Sequence, residues 1–116
     1  MTQFEFEVLP SACDPTEPLI YLWQVRDAQG RLVYQYVGKA VRGAARPLTH
    51  YRRNVHNLLN NRPYRRLNPA GFRTVHHELA QATRRGDRIT LTYLVNVPPD
   101  GDINVVEREW QRQVLG

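Results

Sequence analysis

The sequence predicts an α+β fold, a small antiparallel sheet flanked by three helices in the order ββααβα, with the N-terminal arm available as an additional edge strand. Three observations carry this. Two β-rich runs, Leu19 to Arg26 and Arg31 to Val37, are separated by the short Gly-containing loop Asp27-Ala28-Gln29-Gly30. Two stretches of helical periodicity follow. A third apolar run, Ile89 to Val97, then precedes a last capped helix.

The elements can be justified in order. Phe4, Phe6 and Val8 alternate with Glu5 and Glu7 as in a half-buried strand, and Pro10, Pro15 and Pro18 forbid a regular element before Leu19. Residues 1–18 therefore read as an arm and 19–116 as the domain. Gly30 supplies the positive φ that a tight hairpin needs. Leu48, Tyr51, Val55, Leu58 and Leu59 recur at helical spacing, and Pro47 is tolerable only in a first turn, so this helix starts near Ala45. Asn68 as N-cap, Pro69 at the first helical position and Gly86 past the end frame a second helix with the stripe Phe72, Val75, Leu79 and Ala82. After the turn Pro98-Pro99-Asp100-Gly101, Asp102 caps a third helix that reaches Leu115.

Length and charge bound the function. The 116 residues fit one domain, and the longest apolar run, Leu19 to Trp23, falls far short of the roughly 20 residues that cross a bilayer. The first twenty residues contain acids and no base, opposite to a secretory signal. Cys13 is the only cysteine, which excludes an internal disulfide and a Cys-rich zinc site and makes a reducing cytoplasm the expected location. The net charge of +5 is segregated: Ala28 to His77 holds ten basic residues and no Asp or Glu. Such a block attracts phosphates, because neutralising them releases condensed counterions. Arg42, Arg52, Arg53, Arg65 and Arg66 are the candidate nucleic-acid contacts. Fifteen of the sixteen basic residues are Arg, so the lone Lys39 stands out.

Other constellations are weaker. His76 and His77 point about 100° apart on a helix and cannot easily share an ion, so with His56 they read as surface or phosphate contacts. Gly38-Lys39 lacks the remainder of a P-loop and is followed by Ala. The end of the hairpin is different. It reads Leu19-Ile20-Tyr21 on one strand and Tyr36-Val37-Gly38-Lys39-Ala40 on the next, with Arg46 ten residues after Tyr36 and His50 four residues later. This set resembles the GIY-YIG nuclease family, and the ββααβα order from Leu19 onward is similar as well. Leu19 stands where the family usually has Gly, and the Asn that the family carries beyond its last helix has no counterpart.

The resemblance implies a divalent-metal-dependent endonuclease, on DNA rather than RNA, with Tyr21, Tyr36, Lys39, Arg46, His50 and a Glu on the last helix as catalytic residues. It also implies Mg²⁺ or Mn²⁺ on that Glu. Two candidates compete for this place. At 100° per residue Ile103, Val106, Trp110 and Val114 share one face, with Glu107 roughly 55° and Glu109 roughly 105° from its centre. Glu107 is the choice, on the sheet face beside the first and last helices.

These residue types suit phosphodiester cleavage on their own chemistry. One carboxylate suffices for a Mg²⁺ that keeps most of its waters. Arg46 offers a fixed fork for phosphate oxygens, and His50, one helical turn on, a second donor or proton relay. A Tyr serves as base only if cations stabilise its phenolate. Lys39 and the metal are the expected cations, Tyr21 the favoured base and Tyr36 its orienting partner, with the opposite assignment open. The alternative is a nucleic-acid-binding module that kept the scaffold and lost cleavage. A third reading is an interaction domain whose basic face binds an acidic protein, and the salt dependence of oligonucleotide binding separates it from the second.

Overall fold

A computed structural model describes residues 3–116. The elements are β1 (Glu7–Val8), β2 (Leu19–Arg26), β3 (Leu32–Ala40), α1 (Tyr51–Leu59), α2 (Thr74–Arg85), β4 (Arg88–Asn96) and α3 (Ile103–Leu115), with a π-helical turn at Arg46–His50 leading into α1. The fold is α+β, as the sequence predicts. The sheet order is β1-β4-β2-β3, with β2 antiparallel to both neighbours. β1 runs parallel to β4, so the sheet is mixed rather than purely antiparallel. Alternation along a strand fixes which side chains point inward and says nothing about the direction of a partner that no hairpin ties to it.

Local chemistry explains most boundaries. Asp27 accepts from the backbone N–H groups of Gln29 and Arg31, and Gly30 adopts φ +80°, which closes the hairpin between β2 and β3. Gly86 ends α2 in the left-handed region at φ +76°. Asp102 caps α3 by accepting from the Asn104 N–H at 2.9 Å. The proline-rich arm is clamped by Asn96, whose amide bonds the backbone of Asp14 and Pro18. Phe4 is buried and stacks with Phe6 and Trp23 in the same core, whereas Val8 is exposed.

One helix start and the form of another helix's first turn differ from expectation; the helical stretch before α1 does begin near Ala45. α2 begins at Thr74, not after Asn68, because Asn68 and Pro69 close a loop with Arg65 and Tyr64. Phe72 then packs edge-on to Tyr64 and His76; this aromatic contact holds the chain out of helical register. Before α1 the Tyr51 N–H reaches back five residues to the Arg46 carbonyl, so the turn is π rather than α.

The sheet lies between two layers. Leu19, Tyr21, Trp23 and Val25 pack with Tyr51, Val55, Val75 and Leu79 on the α1 and α2 side. Ile20, Leu22 and Val37 pack with Ile103, Val106, Trp110 and Val114 of α3 on the other. Fully burying each of these large apolar groups contributes about 1.5–3 kcal/mol. Since α1 and α3 cover opposite faces, a site between them cannot occupy a single face, and the expectation of one is corrected. Among the described residues no helix is long and apolar enough to cross a membrane.

Candidate active site

β3 is an edge strand with no further strand beside it, so side chains from both faces of the sheet can meet around its outer side. They do so in a cavity of about 300 Å³ lined by Tyr21, Tyr36, Lys39, Val41, Arg46, Arg73 and Glu107. Tyr21 and Tyr36 come from the α1 side, with Arg46 from the π-helical turn. Lys39 lies on the opposite side of β3 and bonds Asn104 Oδ1 of α3, and half-buried Glu107 is one turn further along α3. Five of the six residues expected from the sequence thus converge from positions up to 86 apart. Glu109 is exposed and absent from the lining.

Arg73 is the residue that sequence reasoning missed. It lies just before α2 and its guanidinium donates to Tyr36 Oη at 3.2 Å and to Tyr51 Oη at 2.8 Å. Tyr51 Oη in turn lies 2.9 Å from Tyr21 Oη, so one cation ties all three phenols together. Tyr21 is 1% exposed. Burial raises its pKa, while the Tyr51 hydroxyl, Arg46 and Arg73 pull it back down. Lys39 lies on the α3 side of β3, bonded to Asn104, and the cations that favour the Tyr21 phenolate are Arg46 and Arg73.

Gly38 has a specific role. A Cβ there would fall 2.5 Å from the Cζ and Oη of Tyr21, so the missing side chain makes room for the phenol across the strand. Gly38→Ala is expected to push Tyr21 off Tyr51, costing about 1–3 kcal/mol by overpacking. A drop in the urea midpoint checks it; an unchanged midpoint would mean the ring relocates freely.

His50 is not in this cavity. The π turn adds a residue between Arg46 and the helix, so Tyr51 rather than His50 stacks one turn beyond Arg46. His50 lines a smaller adjoining cavity of about 30 Å³ with Asn54, Tyr64, Arg65 and His76, and Arg46, Tyr51 and Arg73 border it too. Slight burial and the nearby Arg53, Arg46 and Arg65 lower the His50 pKa, which favours its neutral ring.

His76 was expected at the surface or on phosphate and is instead 1% exposed, packed against Tyr51, Tyr64 and Phe72. Burial, with Arg73, Arg46, His77 and Arg65 nearby, pushes its pKa down to about 4. An unfolded His titrates near 6.5, so the neutral buried ring contributes stability that is fully present above pH 6.5 and lost as pH falls toward 4. Denaturant midpoints should fall across that window by the equivalent of about 3 kcal/mol. The part of the slope that belongs to this ring disappears in His76→Gln; an identical slope in both proteins would assign it to carboxylates.

The remaining basic candidates separate. Arg65 joins the small cavity, stacked 4.1 Å over Tyr64. Arg42 and Arg66 are exposed. Arg52 and Arg53 line a groove of about 490 Å³ between the arm and α1 that contains no carboxylate. A further groove of about 430 Å³ contains Glu5, Glu7 and Asp87 and repels phosphate. Neither groove combines cations, phenols and a carboxylate as the cavity at β3 does. No family model matches this chain, and neither a curated protein nor a solved structure gives a significant match.

Proposed function

We propose that this chain is a divalent-metal-dependent endonuclease of the GIY-YIG type, cleaving phosphodiester bonds in DNA in preference to RNA. The observation that carries the reading is the convergence of Tyr21, Tyr36, Lys39, Arg46 and Glu107 on one cavity. They come from four elements, β2, β3, the π-helical turn and α3, up to 86 positions apart. Hydrolysis of a phosphodiester needs a water relieved of its proton, donors for the charge growing on the non-bridging oxygens, and help for the departing oxygen. The cavity supplies each. Arg46 forks the phosphate, and Lys39, held by Asn104, adds a point charge on the α3 side. Tyr36 is half-buried with its oxygen held by Arg73, and buried Tyr21 is its partner through Tyr51 and Arg73. This exchanges the expected roles of the two tyrosines, since the water must reach the base.

The donor set fits Mg²⁺ or Mn²⁺. Glu107 makes no ion pair among the described residues, and those residues contain no cluster of three His, Cys, Asp or Glu side chains. A single carboxylate suits an ion that keeps most of its waters. When bound there, it would stabilise the leaving oxygen. The single Cys13, which allows no internal disulfide, supports a reducing compartment such as the cytoplasm as the location.

Incubation with linear, nicked, branched and single-stranded DNA and with RNA, each with and without Mg²⁺, tests the substrate class. Mg²⁺-dependent cuts within DNA are expected, and cleavage confined to RNA would overturn the preference. Within the same assay Arg46→Lys keeps the charge and loses the fork, and turnover should fall by about 10²-fold with binding nearly unchanged.

A further inference from the structure

We propose that the small cavity beside this site is a phosphate pocket, which takes a phosphate oxygen between His76 Nε2 and Asn54 Nδ2. The hydrogen-bond directions carry the argument. The Arg73 backbone N–H donates to His76 Nδ1 at 3.1 Å, so the proton of the neutral ring sits on Nε2. Asn54 is oriented from the other side, its Oδ1 accepting from Arg65 Nη1 at 3.2 Å, which turns Nδ2 toward His76. The two nitrogens lie 3.5 Å apart. Both are donors. His76 is 1% and Asn54 4% exposed, and among the described residues no acceptor reaches either nitrogen. Two buried donors facing each other are unfavourable unless an oxygen comes between them.

The surroundings decide what that oxygen belongs to. Arg46, Arg65, Arg73 and His50 also line the cavity, with no carboxylate. A water would accept from the two donors, but the Arg46, Arg65 and Arg73 side chains its hydrogens would meet offer no acceptor, and the Tyr51 oxygen is already engaged by Arg73 and Tyr21, which leaves the His50 ring and the Tyr64 hydroxyl. An anionic oxygen has no hydrogens to place and gains from every neighbour. About 30 Å³ admits the oxygens of a phosphate and excludes a nucleoside. Arg46 and Arg73 line both cavities, so a phosphate held here lies one guanidinium away from the one to be cleaved. That spacing fits the neighbouring phosphate of the same strand, a step that rests on the nuclease reading, whereas the pocket's oxyanion chemistry does not.

The test follows the imidazole N–H of His76 by nitrogen-15 NMR as inorganic phosphate is added, with chloride as control. A saturable shift at His76, without movement of His56 or His77, is expected. Asn54→Asp keeps the shape and exchanges a donor for a negative acceptor; it should weaken the response about tenfold or more. If its amide spectrum shows that it has not folded, Arg65→Met, at an exposed position, removes the group that orients Asn54 and should weaken the response likewise. No shift, equal shifts at all three histidines, or a protected N–H that phosphate leaves unmoved, as a resident water alone would give, overturns the proposal. A second arm uses oligonucleotides with one neutral methylphosphonate linkage at a time. Weakened binding at the cleaved linkage and its neighbour identifies the source as the backbone. Weakening at the cleaved linkage alone, with the inorganic phosphate response intact, identifies it as a free or terminal phosphate. A His76 response to phosphate without any DNA binding would retain the pocket and remove the nuclease reading; cleavage without any His76 response would do the reverse.

Discussion

Glu107→Gln is expected to abolish cleavage, a loss of about 10³-fold or more, while folding and DNA binding stay nearly intact. Glu107 is the carboxylate in the lining of the cavity, and its amide analogue keeps the shape while losing the charge a divalent ion needs. Because Glu107 is half-buried at the margin of α3 and makes no ion pair among the described residues, its replacement removes no structural contact of that kind. Glu109→Gln, two residues on, should retain most activity, since Glu109 is exposed and outside the cavity. Rates under single-turnover conditions, with binding measured separately, distinguish the two. If Glu109 proves indispensable and Glu107 does not, the metal-ligand assignment is wrong.

Arg73→Met should have the next largest effect, a fall in turnover of about 10²-fold or more, the scale of losing one well-placed donor. It should also change the pH dependence. Arg73 donates to the Tyr36 oxygen at 3.2 Å, so removing it withdraws the cation that favours the phenolate of the base, and the pH profile of cleavage moves to higher pH. Lys39→Met should leave the profile nearly where it was, because the Lys39 ammonium is engaged by Asn104 on the α3 side of β3, whereas the Tyr36 oxygen is held by Arg73. An upward shift in the Lys39 variant and none in the Arg73 variant would restore the assignment that the sequence alone favours.

That contrast shows where the sequence was legible. Asp102, Gly86 and the Asp27–Gly30 loop act on residues within a few positions of themselves, and the elements they delimit lie where the pattern predicts. The preference for Glu107 over Glu109 depends on helical geometry within α3, and the cavity contains the one and not the other. Arg73 gave no such signal. Its role depends on α2 starting at Thr74 and on phenols 22 and 37 positions away. The late start of α2 also leaves the Arg73 N–H free to bond the His76 ring, which a helix beginning at Pro69 would not allow. The π turn at Arg46–His50 was hidden for a related reason: Arg46 and His50 are spaced like one α-helical turn, and only the packing of Tyr51 against Tyr21 and Trp23 reveals the extra residue.

The central claim, that the cavity at the edge of β3 cleaves phosphodiesters, is tested most directly by supercoiled plasmid incubated with the purified protein and Mg²⁺. The wild type should convert it to nicked and linear forms, a chelator should stop the conversion, and Glu107→Gln should bind the plasmid and leave it intact. Plasmid that stays supercoiled with folded, DNA-bound wild-type protein and Mg²⁺, or cutting by the Glu107 variant at the wild-type rate, would contradict it.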